Sequence, residues 1–120
     1  MQETITIKNR WSGEAIFQST KTTLKEAVEE AVENGENLRY ANLSGANLYG
    51  ADLSESDLSE TKLYKSDLSG AALSGADLCD ADLDGADLLN AKFYGKRGGT
   101  KIKKSQVEDF FKALGIIVNE

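Results

Sequence analysis

Asp80, Asp82, Asp84 and Gly85 reproduce the opening D-x-D-x-D-G of a calcium loop, in which alternate carboxylates supply hard oxygen ligands to the ion. The twelfth position of such a loop needs a bidentate glutamate, and here it is Ala91, while Leu83 in the middle is expected to be buried. Ser44, Ser54, Ser59, Ser69 and Ser74 are hydroxyls separated by multiples of five residues, but the chain contains no histidine to activate them. Cys79 is the only cysteine and has no disulfide partner. The glycines do not open a helix as a phosphate-cradling loop does. No catalytic residue, cofactor site or metal site is expected, and the chain reads as non-enzymatic.

These residues all fall on one spacing. A leucine recurs every fifth residue at Leu38, Leu43, Leu48, Leu53, Leu58, Leu63, Leu68, Leu73, Leu78, Leu83 and Leu88, closed by Phe93. Neither the 3.6-residue period of a helix nor the two-residue period of a strand produces that pattern, so the stretch is read first as repeat architecture. Two places before the repeat leucines the side chain is small after Glu36: alanines from Ala41 to Ala91, with Ser56, Thr61 and Ser66 between them. This slot is expected to point inward. One place before, the residues are polar apart from Ala72, and that slot is expected to face water. Two places after, Gly45, Gly50, Gly70, Gly75, Gly85 and Gly95 share the position with Tyr40, Glu55, Glu60, Lys65, Asp80 and Asn90, the composition of a corner that needs permissive backbone.

The consecutive A-[DN]-L-x-x copies over residues 36–95 resemble the pentapeptide-repeat family. The resemblance implies a mainly β fold: a right-handed quadrilateral β-helix with one pentad per side and four per coil. Twelve pentads then make three coils, about 14 Å tall at the usual strand spacing. So short a shaft has two open ends to cover. The expected organisation is a single folded unit, with a hairpin and helix over residues 1–35, the β-helix over 36–95, and a basic loop and helix over 96–120.

At the N-terminal end, residues 4–9 and 14–19 alternate like two strands, with Ile5 and Ile7 on one face and Ala15 and Phe17 in phase. Trp11, beside the turn, is expected to pack across the hairpin face. Thr23 and Glu26 have capping-box spacing, and Leu24, Ala27, Val28, Ala31 and Val32 form one apolar stripe, so a helix is expected over 24–34 with Gly35 as its terminator. Its acids, Glu26, Glu29, Glu30 and Glu33, read as a solvated face.

Beyond the repeats, residues 100–103 suit an edge strand with Ile102 inward. Ser105 and Glu108 form a second capping-box pair, and Val107, Phe110, Phe111 and Leu114 keep helical spacing, enough to close the shaft. Ile116, Ile117 and Val118 are left over, which predicts a twofold dimer through Phe110, Phe111, Leu114, Ile116, Ile117 and Val118.

The unpaired cysteine and the lack of an apolar leader suit a cytoplasmic protein, in the host cell if phage-encoded. The chain has net charge −6, but residues 36–95 hold eleven acids against four bases, net −7, while residues 96–120 are net +3. With residues twenty apart stacked, the acidic edge is Glu55, Asp57, Glu60, Asp77 and Asp80, whereas Lys62 and Lys65 offset Asp82 and Asp84. B-DNA carries about one charge per 1.7 Å, so about 14 Å of duplex holds a similar total. The resemblance extends more distantly to Qnr-type gyrase-binding DNA mimics, whose columns are longer. The hairpin-helix entry is similar to that of small phage and prophage members. The expected function is therefore an acidic mimic that inhibits a DNA- or RNA-binding enzyme as an anti-host or anti-defence factor. A passive assembly module and a topoisomerase-protecting protein are the alternatives. The expected partner is a basic nucleic-acid-binding enzyme, with no direct nucleic acid and no membrane.

If the leucines line a shaft, Leu68→Asp leaves a charge with no water around it and abolishes folding. Circular dichroism and a denaturation curve check this, and a cooperative transition of normal midpoint contradicts it.

Overall fold

The computed structural model describes residues 3–95 and 98–116. Within the repeats, isolated parallel bridges join residues twenty apart: Asn42 to Lys62 to Asp82, Asn47 to Asp67 to Asp87, Asp52 to Ala72 to Lys92, and Asp57 to Asp77. Four pentads thus complete one circuit of the chain before it returns above itself. The bridges are single residues because each side of the circuit is only as long as one pentad. Leu63 N–H, for example, binds the Asp82 carbonyl at 2.9 Å while Lys62 N–H binds the Ala41 carbonyl at 2.8 Å. The chain forms a β-helix.

Each corner is made the same way. The amide of the small residue donates to the carbonyl of the leucine three places earlier, as in Ala46 to Leu43 at 3.1 Å. The residue between them, two after the leucine, has a positive φ in every pentad from Tyr40 (68°) to Asn90 (62°). A turn with that backbone angle at its third residue selects glycine or asparagine, which accounts for the glycines of this slot. Inside, every leucine from Leu38 to Leu88 is buried, as are the small residues from Ala41 to Ala86, while Ala91 and Phe93 are half-buried. The buried hydroxyls of Ser56 and Thr61 donate back to the Leu53 and Leu58 carbonyls at 2.6 and 2.7 Å. Ser66 Oγ, equally buried, has no partner.

Strands β1 (Ile5–Lys8) and β2 (Ala15–Ser19) pair antiparallel, with an irregularity between Ile7 and Lys8. Asn9 bridges Ala41, and Asn42 N–H reaches the Lys8 carbonyl at 2.8 Å, which attaches the hairpin to the first repeats. Trp11 does not pack across the hairpin face: it is 73% exposed. The reason is local, because Asn9 Oδ1 accepts the amides of both Trp11 and Ser12 and so holds the indole on the outside of the turn. Helix α1 (Leu24–Glu33) is capped by Thr23, whose hydroxyl accepts Glu26 N–H at 3.1 Å. It ends where Gly35, with φ 74°, sends its amide to Val32 and the next amide to Ala31, the paired bonds that close a helix with a left-handed glycine. Val28 and Ala31 join Ile7 and Leu38 in one core.

After Phe93 a short hairpin, β3 (Tyr94–Gly95) with β4 (Gly98–Gly99), inserts four residues into the register, so that Lys101 bridges Asp77 at an offset of twenty-four. Ile102 then lies on the core, as expected. A 3-10 turn (Lys104–Gln106) leads into α2 (Val107–Ala113). Ser105 does not cap this helix. Gln106 makes no side-chain cap bond to it either but ties the preceding 3-10 turn to the repeats, its Oε1 accepting Lys103 N–H at 2.7 Å and Asp80 N–H at 2.9 Å while its Nε2 donates to the Leu78 and Ala81 carbonyls at 2.8 and 3.2 Å. One buried side-chain amide thus replaces backbone that a further coil would have supplied. Phe110 meets Phe93 edge to face at 5.2 Å and Leu114 packs on the core, but Phe111, about 100° round the helix, is 38% exposed and does not help to close the shaft.

Two substitutions separate these roles. Ser66→Ala is expected to stabilise by about 1 kcal/mol because it removes an orphan hydroxyl, whereas Gln106→Ala is expected to cost about 2–3 kcal/mol by leaving buried backbone groups unpaired. Urea midpoints at unchanged slope measure both.

Candidate functional site: the charged faces of the column

The acid or asparagine before each leucine does more than face water. Its Oδ1 accepts the backbone amide two residues on, from Asn37 to Arg39 (2.8 Å) through Asp57 to Ser59 (3.0 Å), Asp77 to Cys79 (2.9 Å) and Asp87 to Leu89 (2.9 Å). Asp57 and Asp67 also accept the hydroxyls of Ser59 and Ser69 at 2.5 and 2.6 Å. This local bond is what selects Asp or Asn, since only their short side chains reach that amide. It also fixes each carboxylate on the column surface.

Among the five acids expected to form one edge, the structure stacks Asp57 directly beneath Asp77. Glu60 and Asp80 share a corner one coil apart, Glu60 N–H reaching the Cys79 carbonyl at 3.0 Å. Both are ion-paired. Arg39 holds Glu60 Oε2 through Nε at 3.0 Å and Nη2 at 2.5 Å, and Lys103 Nζ contacts Asp80 Oδ2. Arg10 lies over the Trp11 ring at 4.4 Å and donates to the Glu60 carbonyl at 3.2 Å, and Lys101 stacks on Asp77. This side is therefore a mixed surface.

Glu55 lies elsewhere, in a groove of about 560 Å³ lined by Glu29, Val32 and Glu33 of α1 with Asp52, Ser54 and Glu55 of the repeats. Glu29 Oε2 accepts Asp52 N–H at 2.9 Å, which ties the helix to the column. The acidic face of α1, legible as a solvated face, thus forms one wall of a carboxylate-lined groove. Nothing in the spacing of Glu29 or Glu33 signals this, because it depends on where α1 lies against Asp52. The neutralisation by Lys103 did leave a signal: aligning Thr100, Lys101 and Ile102 with Ala76, Asp77 and Leu78 places Lys103 near Asp80.

The electrostatics of the one thiol oppose nucleophilic use. A hydrogen bond with the Asp77 carboxylate, then burial, pushes the Cys79 thiol up, and the same contact holds Asp77 below the usual carboxylate range. Glu26 is likewise lowered by the Thr22 and Thr23 hydroxyls, and Lys103 is raised by Asp80. Asp80, Asp82 and Asp84 make no ion site, since Asp80 is paired with Lys103 and Asp82 binds Asp84 N–H at 3.1 Å. Among the described residues no cluster of acids or cysteine can hold a metal ion, and no helix is long and apolar enough to cross a membrane. Of the expected dimer residues, Phe110 and Leu114 pack on the core, Phe111 and Ile116 are exposed, and Ile117 and Val118 lie outside the described residues.

A leucine-filled shaft, a left-handed corner in each pentad and a twenty-residue ladder define a β-helical repeat protein. The sequence profile described as pentapeptide repeats matches in eight copies over residues 37–70 and 63–95, and the chain belongs to the pentapeptide-repeat family, whose members are generally non-enzymatic structural or interaction proteins. Among solved structures it is similar to a pentapeptide repeat protein from the Arabidopsis thaliana thylakoid lumen, with 30% identity over 57% of this chain and 48% of that one and a TM-score of 0.41. It is also similar to QnrB1, a plasmid-mediated fluoroquinolone resistance protein, with 27% identity over 70% and 45% and a TM-score of 0.40. A pentapeptide repeat protein from the cyanobacterium Cyanothece 51142 matches at 28% identity over 50% and 44%, with a TM-score of 0.28. The chain spans about half the length of each of these three structures. No curated protein sequence matches it.

The lowered carboxylates set a pH dependence. A carboxyl whose folded-state pKa is depressed stabilises above its unfolded value, about 4, and loses that contribution as pH falls through the folded value. Stability is therefore expected to fall below about pH 4. Asp77→Asn, which keeps the acceptor but cannot titrate, should flatten part of that acid limb in a series of thermal melts.

Proposed function

We propose that this protein is a non-catalytic interaction module that presents fixed carboxylates to a basic, nucleic-acid-binding enzyme and inhibits it by standing where DNA or RNA would. The observation that carries the reading is the hydrogen bonding of the repeat acids. Asp57 with Asp77, and Asp67 with Asp87, stack one coil apart and are each held by a backbone amide, so negative charge is displayed in rigid ladders with little side-chain entropy left to lose on binding. The groove of Glu29, Glu33, Asp52 and Glu55 extends that charge onto α1. Because Glu60 and Asp80 are tied to Arg39 and Lys103, the contact face of this proposal runs from the groove to Asp57 and Asp77.

The architecture that goes with this reading is a right-handed quadrilateral column of three coils, closed by the N-terminal hairpin and helix and by the C-terminal helix. It includes a twofold dimer through the C-terminal segment, for which exposed Phe111 and Ile116 offer apolar surface. Dimerisation brings two short columns into one longer display. Light scattering at micromolar concentration tests that part, and a monomer excludes it.

The charge-neutral variant Asp57→Asn, Asp77→Asn, Glu33→Gln tests the main reading without loss of the turns, since Asn already fills this slot at Asn37, Asn42 and Asn47. Immobilised protein is expected to retain basic nucleic-acid-binding proteins from a nuclease-treated bacterial lysate at low salt and release them at high salt. The variant is expected to retain about tenfold less. Salt-independent capture, equal for both proteins, overturns the proposal.

A further inference from the structure

Each coil passes its backbone hydrogen bonds to the next. Leu43 and Gly45 N–H bind the Lys62 and Tyr64 carbonyls, and Leu63 and Lys65 N–H bind those of Asp82 and Asp84, all at 2.8–2.9 Å. One level on, the equivalent donors are Leu83 and Gly85, and neither has an acceptor among the described residues. On the side before, both donors are taken, Leu78 N–H by the Lys101 carbonyl at 2.8 Å and Asp80 N–H by Gln106 Oε1 at 2.9 Å; on the side after, Leu88 N–H binds the Ala113 carbonyl at 2.8 Å, and Asn90 N–H has no acceptor among the described residues. Above the bare donors lies a groove of about 240 Å³, floored by Leu83, Gly85 and Ala86 and flanked by Asp109, Lys112 and Ala113 of α2. The shaft is sealed less completely here than one coil below, with Ala81 and Ala86 7% exposed and Leu83 3%, against 0% at Thr61 and Leu63 and 1% at Ser66.

We propose that this strand edge docks an extended segment of a partner protein that carries an apolar side chain between two basic ones. The neighbouring side shows how such a segment is held, because residues 100–103, Thr-Lys-Ile-Lys, already occupy it. Lys101 donates to the Ala76 carbonyl and accepts from Leu78, Ile102 packs on the core, and Lys103 pairs with Asp80. On the bare side the same ladder calls for two carbonyls, two residues apart, over Leu83 and Gly85, with the residue between them turned down onto Leu83. The rim favours cations: Asp84 and Asp109 line the groove, the one cation among its lining residues, Lys112, is within 3.8 Å of Glu108, and Lys65 lies one coil below, against Gly85. The inference concerns the end of the column, and it holds whether or not the acidic sides bind a nucleic-acid enzyme.

Amide exchange and chemical shifts measured by NMR on the intact chain test it, with acetyl-Thr-Lys-Ile-Lys-amide as the probe. In the protein alone, Leu83 and Gly85 amides are expected to exchange about tenfold or more faster than Leu63 and Lys65. The peptide is expected to shift Leu83, Gly85 and Ala86 saturably and to slow the first two amides, and the variant Asp84→Asn, Asp109→Asn to bind it about threefold to tenfold more weakly. Acetyl-Thr-Lys-Gly-Lys-amide, equal in charge, is expected to leave these amides unmoved. Any of three results overturns the proposal: no response up to about 10 mM peptide, an equal response to the glycine peptide, or protection of Leu83 and Gly85 in the protein alone. Protection that grows with protein concentration would assign the edge to a second copy of the chain.

Discussion

The left-handed residue at each corner is the constraint on which the column depends. With φ between 56° and 72° from Tyr40 to Asn90, it turns the chain within five residues and returns every leucine to the inside. Six of these positions are not glycine, and each such residue costs about 1–2 kcal/mol in backbone strain. The hydrogen bonds that the corner makes possible offset this, since the corner amide itself joins the ladder, as Glu60 does to Cys79 and Lys65 to Asp84. Changing the length of one pentad would send the next leucine outward and misalign carbonyls twenty residues away. The one change in register, from twenty to twenty-four, accordingly lies outside the shaft, in the β3–β4 hairpin.

Polar side chains in this protein act largely as substitutes for backbone. The repeat acids take turn amides, Ser56 and Thr61 return to the leucine carbonyls, Thr100 Oγ1 donates to the Leu73 carbonyl at 2.6 Å, and Gln106 stands in for a peptide group of an absent coil. The negative charge of the column is therefore a by-product of turn chemistry as well as a surface property. Asparagine serves the turn equally well, so the preference for aspartate after Asn47 adds charge without adding a structural bond. Cations then meet the column where it is densest in acid, through Arg10 of the hairpin and Arg39 of the first pentad at one end and Lys101 and Lys103 of the C-terminal segment at the other.

The leucine period, the small inward slot and the permissive corner were legible because each is a local requirement repeated at fixed spacing. Helix α1 was legible for the same reason, with Thr23 and Gly35 at its ends and one apolar stripe between them. Ile102 was readable as inward because residues 100–102 still follow the repeat pattern. Where the structure departs from that reading, the deciding contact is one that no period encodes. Trp11 is held off the hairpin face by the bonds to Asn9, two residues away, and α2 has no side-chain cap from Ser105, while Gln106 binds Lys103 and Asp80 ahead of it. The sequence by itself determined the five-residue repeat, with its inward leucine and small residue and its permissive corner, and the β-helix followed from the family resemblance that those residues carry. Only the tertiary structure decided which acids are neutralised, that α1 walls a carboxylate groove, and that the edge at Leu83 takes no acceptor from the described residues. Those outcomes depend on where the non-repeating ends come to rest, and the interactions that place them join side chains to carbonyls and carboxylates more than twenty residues away.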